Sequence, residues 1–410
     1  MENIDSSTDK KDYFIDNLFF KKYRCIEKLG KGSFGFIYKA EYNNNYYALK
    51  FEDIKNEKNL LQNEASLMIY LKGPNIPYIK TFGTSGDFNI LVMQLLGKDL
   101  QELLIERGSF SIKTVCILAS QMITTLEYIH NKNVLHRDIK PENFLMGLEE
   151  KSKYVYLIDF GLSKTFNMNS IKNSTPNKEN KRFIGTPRYA SINALRGVEQ
   201  CQKDDLESLG YVLIYLLKGF LPWQGIKAKS KVEKVKNILV NKIETCSNDL
   251  CYNLPKEFEE YIDYCKYLEI GDEPDYQMLK NLFLKVLQEE RMQFDYIYDW
   301  SNSEGVVKKK SYINQSINKY DNHNENNNFN SKNKINNLIT ENKSIVIKEK
   351  SSFKKEKYIK KKKENEDENE NKNENKNKNK NENKNENKIK NEKNEENMVN
   401  GQEVSCCLIY

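Results

Sequence analysis

The sequence predicts an α+β protein of two lobes, a small β-rich lobe at residues 23–94 and a larger α-helical lobe at residues 97–300. Most of the first segment consists of short β-branched and aromatic runs separated by turn residues, which is typical of strands. In the second segment, apolar residues recur at helical spacing. After residue 300 Asn, Lys and Glu dominate, and so few apolar residues cannot offset the entropy lost on ordering. Residues 301–405 are therefore expected to be a disordered tail.

The small lobe is expected to be an antiparallel sheet interrupted by one helix. Asn43, Asn44 and Asn45 form a turn signal between two strand-like runs. The helical pattern comes later, around Glu64, and consists of Leu60, Leu61, Ala65, Met68 and Ile69. Residues 1–22 precede the lobe and are predicted to be an N-terminal extension.

Two apolar faces predict the main helices of the larger lobe. The first consists of Val115, Ile117, Leu118, Met122, Leu126 and Ile129. The second consists of Leu206, Leu209, Val212, Leu213, Leu216 and Leu217. Residues 206–223 form the longest apolar stretch, but Lys218 and Pro222 interrupt it, so a buried helix is predicted rather than a membrane span. A β-rich lobe followed by an α-rich lobe places a cleft between them.

The charge pattern and the cysteines argue against several classes of protein. The net charge is +6, but the 65 basic residues face 59 acidic ones and the signs are interleaved in the tail, as in a solvated chain. We therefore expect no nucleic-acid partner. The cysteines of the body are scattered without C-x-x-C pairs, which argues against a zinc site and against a secreted disulfide framework. A cytoplasmic location is expected, and a nuclear pool stays open because residues 360–363 form a basic run.

A glycine-rich segment opens the small lobe. Residues 30–37 read GKGSFGFI and fit the pattern G-x-G-x-x-G-x-V, with Ile37 in place of Val. Gly30, Gly32 and Gly35 have no Cβ, so the main chain at these positions can approach the phosphates of ATP. By itself the pattern is equally typical of an ordinary hairpin.

The next strand strengthens the interpretation of the glycine-rich segment as an ATP-binding loop. Lys50 follows Ala48 among apolar residues, an unusual place for a lysine unless its ammonium group reaches into the cleft. There it can neutralise the α- and β-phosphates, and Ala48 and Ile37 would line the same nucleotide site. Glu64, on the helix that follows, is the candidate partner that holds Lys50 in place.

The strongest signal is the segment 136–143, which reads HRDIKPEN. It meets several distinct chemical requirements at fixed spacing. Asp138 can accept the proton of a substrate hydroxyl, and Asn143 can hold a Mg²⁺ ion. Lys140, two residues after the base, can steady the transferring phosphate as in serine/threonine kinases. His136 is expected to be structural, because Asp138 already serves as the base.

A second acidic motif follows at residues 158–161, which read IDFG. Asp159 ends an apolar strand and would bridge Mg²⁺ and the phosphates. The glycine-rich segment, Lys50, the segment 136–143 and this motif stand in the order found in protein kinases. ATP and Mg²⁺ are therefore the expected cofactors.

From residue 23 to residue 300 the chain resembles the casein kinase 1 family of serine/threonine protein kinases. The most distinctive match is at residues 185–193, GTPRYASIN, because most protein kinases have Ala-Pro-Glu there. Further matches are residues 204–211, 221–225, 274–276, 294–296 and 299–300.

The resemblance implies a two-lobed protein kinase fold and assigns roles to further residues. Met93 would be the gatekeeper beside the adenine, and Leu95 and Leu96 would lie in the adenine-binding hinge. Asp205 would brace the main chain of the catalytic loop from its helix.

The resemblance also implies a substrate preference. Family members favour proteins with an acidic or phosphorylated residue upstream of the Ser or Thr acceptor, and a monomer is expected. The substrate anion would lie on Arg188, Gly225, Lys231 and Lys234. Their cationic groups could bind a phosphate through charge-assisted hydrogen bonds. The chain departs from the family at Pro187, at Gln94 and at residues 167–180, which lengthen the activation loop.

Other functional classes fit the sequence less well. A pseudokinase would lack one of the four residues Lys50, Asp138, Asn143 and Asp159, and all four are present. A kinase for small molecules can share the catalytic aspartate, but residues 186–193 are expected to form a platform for a peptide. A role in interaction alone suits only the tail.

The last five residues allow two interpretations, a lipid anchor at a membrane and an unmodified tail in the cytosol. Cys406 and Cys407 precede aliphatic residues, and residues 407–410 fit the C-a-a-X spacing for prenylation, with S-acylation of both cysteines as the alternative. Two lipid chains, or one chain with a basic run, would hold the protein stably at a membrane. We expect wild type in the membrane fraction of cells and a variant with both Cys406→Ser and Cys407→Ser in the soluble fraction. Equal solubility of the two would disprove the anchor.

Overall fold

The computed structural model of this chain describes residues 14–31, 35–56, 60–167 and 183–301. Gly32, Cys406, Cys407 and the predicted tail beyond residue 301 lie outside these ranges and stay predictions. Within the described ranges, a β-rich lobe precedes an α-helical lobe, which confirms the predicted two-lobed α+β architecture.

The small lobe is a six-stranded antiparallel sheet with one helix. Its strands run in the order β1-β2-β3-β4-β6-β5. The strand bounds are β1 Leu18–Phe19, β2 Tyr23–Lys31, β3 Phe36–Tyr42, β4 Asn45–Asp53, β5 Ile79–Ser85 and β6 Phe88–Gln94. The predicted helix is α1, Leu60–Tyr70, and it buries Leu61, Ala65 and Met68.

A tight turn joins β3 to β4 and sets the position of the residues that follow it. Asn43 and Asn44 have φ values of 51° and 59°, the left-handed conformation that asparagine tolerates better than most residues. Tyr42 pairs with Asn45 across the turn, which fixes the register of the hairpin. Because side chains alternate along a strand, Ala48 and Lys50 share one face of the sheet.

The larger lobe is built mainly of helices. Their bounds are α2 Leu100–Arg107, α3 Ile112–Asn131, α4 Ile192–Arg196, α5 Gln202–Lys218, α6 Lys231–Glu244, α7 Ser247–Leu250, α8 Lys256–Tyr267 and α9 Tyr276–Glu289. Four short strands form two further pairs, β7 Val134–Leu135 with β10 Lys164–Thr165 and β8 Phe144–Met146 with β9 Val155–Leu157. Both long helices predicted from apolar faces are present as α3 and α5.

Helix α5 is the centre of this lobe. Every residue from Gln202 to Leu216 is buried, which explains the long apolar stretch of the sequence. The helix ends at Gly219, whose φ of 75° suits a glycine that terminates a helix. None of the helices in the described ranges has both the length and the hydropathy that crossing a bilayer requires.

The small lobe begins earlier than the sequence predicted. We expected residues 1–22 to be an extension, yet residues 14–22 pack on the sheet face opposite Lys50. The Phe14 ring lies 4.9 Å from the Tyr38 ring and 4.8 Å from the Phe51 ring, measured between centroids. An outer sheet face rich in aromatic residues needs a cover, and this segment supplies it.

The burial of Phe14 can be tested by truncation of its side chain. Phe14 is 7% exposed, so Phe14→Ala should lower the free energy of unfolding by about 3 kcal/mol, the cost of removing a buried aromatic ring. Leu18→Ala is the control, because Leu18 is 60% exposed and its loss should change stability by less than about 0.5 kcal/mol. Urea denaturation of both variants measures the difference, and equal stabilities would show that residues 14–22 are not part of the lobe.

Candidate active site

A buried cluster of charges joins the two lobes. Lys50 Nζ on β4 lies 2.7 Å from Glu64 Oε2 on α1 and 3.1 Å from Asp159 Oδ1. The side chains of Lys50 and Glu64 are only 4% and 1% exposed. Burial alone would lower the pKa of Lys50, but the carboxylates of Glu64 and Asp159 outweigh it and raise that pKa above its ordinary value. The predicted Lys50–Glu64 pair therefore forms, with a charged ammonium group.

The carboxylate of Asp159 stays ionised because it contacts Lys50. Burial would raise its pKa, but the charge and hydrogen bond of Lys50 lower it below the ordinary value for an aspartate. Its main chain has φ of 64° and ψ of 70°, a left-handed conformation that is uncommon outside glycine. Such strain persists only where the surroundings hold it, and the Lys50 contact is one of these restraints.

The sheet register brings most of the predicted nucleotide-site residues of the small lobe together. Ile37 pairs with Gly30 on one side and with Lys50 on the other. Ala48 pairs with Met93 on β6. Directly paired residues of an antiparallel sheet lie on the same face, so these side chains line one surface. Leu95 and Leu96, the predicted hinge residues, follow β6 immediately and lead to α2.

The two described glycines of the glycine-rich segment have different environments. A Cβ added at Gly30 would meet no atom within 4 Å, so the space beside it is open. A Cβ at Gly35 would lie 1.7 Å from the carbonyl oxygen of Phe51, which no side chain could tolerate. Residue 35, just before β3, lies so close to the main chain of β4 that only glycine fits there, whether or not it also contacts a ligand.

The catalytic-loop residues converge on the Asp138 carboxylate, which is 7% exposed. Lys140 Nζ donates to Asp138 Oδ2 at 2.7 Å, and Thr186 Oγ1 donates to Asp138 Oδ1 at 2.8 Å. Asn143 Nδ2 donates to the Asp138 carbonyl oxygen at 2.8 Å. Burial alone would lower the pKa of Lys140, but the charge of Asp138 outweighs it and raises that pKa.

Asp205 on α5 fixes the main chain of this loop through hydrogen bonds. The backbone N–H groups of His136 and Arg137 both donate to its carboxylate at 2.8 Å. His136 Nε2 donates to the carbonyl of Ile158 at 3.0 Å, which matches its predicted structural role. Arg137 has φ of 66°, so the loop holds a left-handed residue directly before Asp138.

Sequence reasoning missed two residues that support Asp205. His130 Nε2 lies 3.0 Å from Asp205 Oδ2, and since a carboxylate only accepts, this nitrogen carries the proton. His130 Nδ1 lies 2.8 Å from Tyr276 Oη, so in the neutral ring it accepts from the hydroxyl. Burial alone would raise the pKa of Asp205, but the hydrogen bonds from His130 and from the main chain of His136 lower it. A histidine among the mainly apolar buried residues of α3 was the available signal.

The residues predicted to bind a substrate anion lie on three segments, namely the segment before α4, the loop between α5 and α6, and the start of α6. Arg188 is half-buried, and its guanidinium carbon is 5.7 Å from the Tyr189 ring and 5.6 Å from the Tyr215 ring. Lys231 and Lys234 are exposed at the start of α6, which packs against α4. Gly225 has φ of 73°, with open space where a Cβ would be.

A comparison with known protein families gives one match. A family model described as a protein kinase domain matches residues 23–299, about two thirds of the chain. The matched segment contains every described residue of the cluster around Lys50, the catalytic loop and the helix that braces it.

Proposed function

The chain belongs to the protein kinase family, and from that premise we propose that it is an ATP-dependent serine/threonine kinase of casein kinase 1 type. It transfers the γ-phosphate of ATP to the hydroxyl of a Ser or Thr in a protein substrate. The observation that carries the proposal is the assembled set of polar contacts in the cleft, in which Lys50 contacts both Glu64 and Asp159 while Lys140 and Thr186 contact Asp138.

The geometry suggests how each group acts. Asp138 accepts the proton of the acceptor hydroxyl as its oxygen bonds to the γ-phosphorus, while the bond from that phosphorus to the bridging oxygen of ADP breaks. Thr186 and Lys140 hold the Asp138 carboxylate in one orientation. Lys140 and Lys50 supply positive charge for the phosphate oxygens, where fixed charges in a site sheltered from water have most effect.

The residues present also suit Mg²⁺. Asp159 offers an ionised carboxylate, and Asn143 uses its amide nitrogen on the Asp138 carbonyl, so its amide oxygen is the atom that can ligate a metal. Carboxylate and amide oxygens are hard ligands of the kind this ion prefers. Bound there, Mg²⁺ would neutralise charge on the phosphates of ATP.

The anchoring of residues 185–193 supports the casein kinase 1 type. Ser191 Oγ donates to Asp204 Oδ1 at 2.7 Å, and the N–H of Ile192 donates to Glu207 Oε1 at 2.9 Å. The family-specific Ser-Ile-Asn sequence thus contacts carboxylates of α5, which belong to a second segment that resembles the family. Both parts of the resemblance meet in one structural unit, beside the catalytic loop.

The preference for acidic or phosphorylated substrates follows from the cationic residues near that unit. Arg188 follows Thr186 by two positions, so its guanidinium group lies close along the chain to the residue that contacts Asp138. Lys231 and Lys234 add exposed positive charge at the start of α6, which packs against α4. A phosphate group carries more charge and more acceptor oxygens than a carboxylate, so it would bind there more strongly.

Replacement of Asp138 and of Lys50 tests the catalytic roles proposed for them. Asp138→Asn should lower kcat by about 10²- to 10⁴-fold, because it removes the base but keeps the shape. Lys50→Met should lower it by about 10²- to 10³-fold, because it removes a charge aimed at the phosphates. Transfer of labelled phosphate from ATP to an acidic Ser peptide is the measurement, and Asp249→Asn, an exposed aspartate, is the control. Near-normal turnover in folded Asp138→Asn protein would contradict the assignment.

Reversal of the charge of Arg188 tests the proposed preference for phosphorylated substrates. Arg188→Glu should lower kcat/KM for a peptide with a phosphorylated residue upstream of the acceptor by about 10- to 100-fold, the value of one or two hydrogen bonds to a charged group. The loss with an unphosphorylated acidic peptide should be several times smaller. Arg196→Glu, an exposed arginine at the end of α4, serves as the matched control. Equal losses with both peptides would mean that Arg188 does not recognise phosphate.

A further inference from the structure

A buried lysine outside the catalytic set contacts the segment that follows Thr186. Lys242 is on α6 and only 1% exposed, although lysine is among the residues least often buried. Burial lowers its pKa well below the ordinary value, and the carboxylate of Glu207 counteracts this. A group that is so costly to bury needs specific partners.

The partners of Lys242 are two aromatic rings and one main-chain carbonyl. Its Nζ lies 4.2 Å from the centre of the Tyr211 ring and 4.7 Å from that of the Trp223 ring, within the range of cation–π attraction. The same nitrogen donates a hydrogen bond to the carbonyl oxygen of Ala190. Lys242 therefore connects helix α6 and the Trp223 ring to the main chain at residue 190.

Trp223 holds the same segment at a second point. Its Nε1–H donates to the carbonyl oxygen of Arg188 at 2.7 Å. The two carbonyls lie two residues apart, one bound by the indole and one by the ammonium group that packs on the indole. Neither contact uses the Arg188 side chain, so its main chain is fixed independently of the guanidinium group, which donates to Tyr189 Oη at 3.4 Å.

We propose that Lys242 and Trp223 form a clamp on the main chain of residues 188–190 and act as positioning residues for the acceptor peptide, an inference that rests on the proposed kinase function. Because Thr186 contacts Asp138 just before this segment, the clamp sets where a bound peptide lies relative to the catalytic base. Lys242 shares its helix with Lys231 and Lys234, so it also ties the helix of the proposed anion site to the segment that carries Arg188.

The clamp should affect peptide binding and leave ATP binding unchanged. Lys242 lies on α6 and Trp223 on the loop before it, both in the large lobe, whereas the predicted nucleotide residues Ile37, Ala48 and Lys50 lie on the sheet of the small lobe. A residue that only stabilised the fold would change the melting temperature without separating the two ligands. The separation of peptide and ATP parameters is therefore the diagnostic readout.

The test uses the full-length protein with Lys242→Met, which keeps the length of the side chain but removes the ammonium group. We expect the Kd and the KM for an acidic Ser peptide to rise about tenfold, since a buried carbonyl loses a charged donor. The KM for ATP and the slow hydrolysis of ATP without peptide should stay within about twofold of wild type, because the nucleotide residues are not touched. Lys236→Met, an exposed lysine on the same helix, is the matched control.

Trp223→Phe provides an independent second variant if Lys242→Met does not fold. It keeps an aromatic ring for the ammonium group and removes the N–H donor to Arg188 together with part of the buried indole, so the peptide Kd should rise in the same direction. Unchanged peptide Kd in a folded variant, or equal loss of ATP hydrolysis and peptide binding, would overturn the clamp. A wild type that binds the peptide without phosphorylating it would instead overturn the proposed function alone.

Discussion

The site depends on the hydrogen bonds that the carboxylate of Asp205 accepts. This carboxylate lies on the buried helix α5 and accepts hydrogen bonds from the main chain of His136 and Arg137, just before Asp138. A buried ionised group is stable only when its partners are complete, and His130 supplies the third bond. Because these donors are backbone groups, Asp205 fixes the path of the loop itself. Asp138 is therefore positioned by the core of the large lobe.

Helix α5 has a second role, which depends on two acidic residues that flank Asp205. Asp204 and Glu207 accept hydrogen bonds from Ser191 and from the N–H of Ile192, so one helix holds both the catalytic loop and the segment expected to bind the substrate. Burial raises the pKa of Asp204 to about 6, and the hydrogen bonds from Ser191 and from the N–H of Cys201 counteract this rise. Because both segments are hydrogen-bonded to the same helix, α5 sets the position of Asp138 relative to residues 191 and 192.

The two lobes meet through Lys50. Its ammonium group binds Glu64 on the helix of the small lobe and Asp159 from the large lobe, so it brings the nucleotide-facing sheet into contact with the candidate metal ligand. Phe51, the next residue on β4, packs on the opposite face under Phe14 and Phe19. The aromatic cover of residues 14–22 and the charge cluster thus stabilise the two faces of the same strand. The candidate nucleotide site and the aromatic packing of the small lobe therefore share strand β4.

The sequence by itself determined the two-lobed architecture and the polar set around Asp138, because motif residues at short fixed spacing and apolar periodicity are local properties. Lys50 and Glu64 were predicted as partners although they lie on different elements, since each stood in a recognisable motif, whereas the contact of Lys50 with Asp159 came only from the structure. Only the tertiary structure placed residues 14–22 in the small lobe, joined His130 to Tyr276 and buried Lys242. Phenylalanine, tyrosine and lysine occur everywhere in the chain, and their roles depend on which distant groups the fold brings within hydrogen-bond and packing distance.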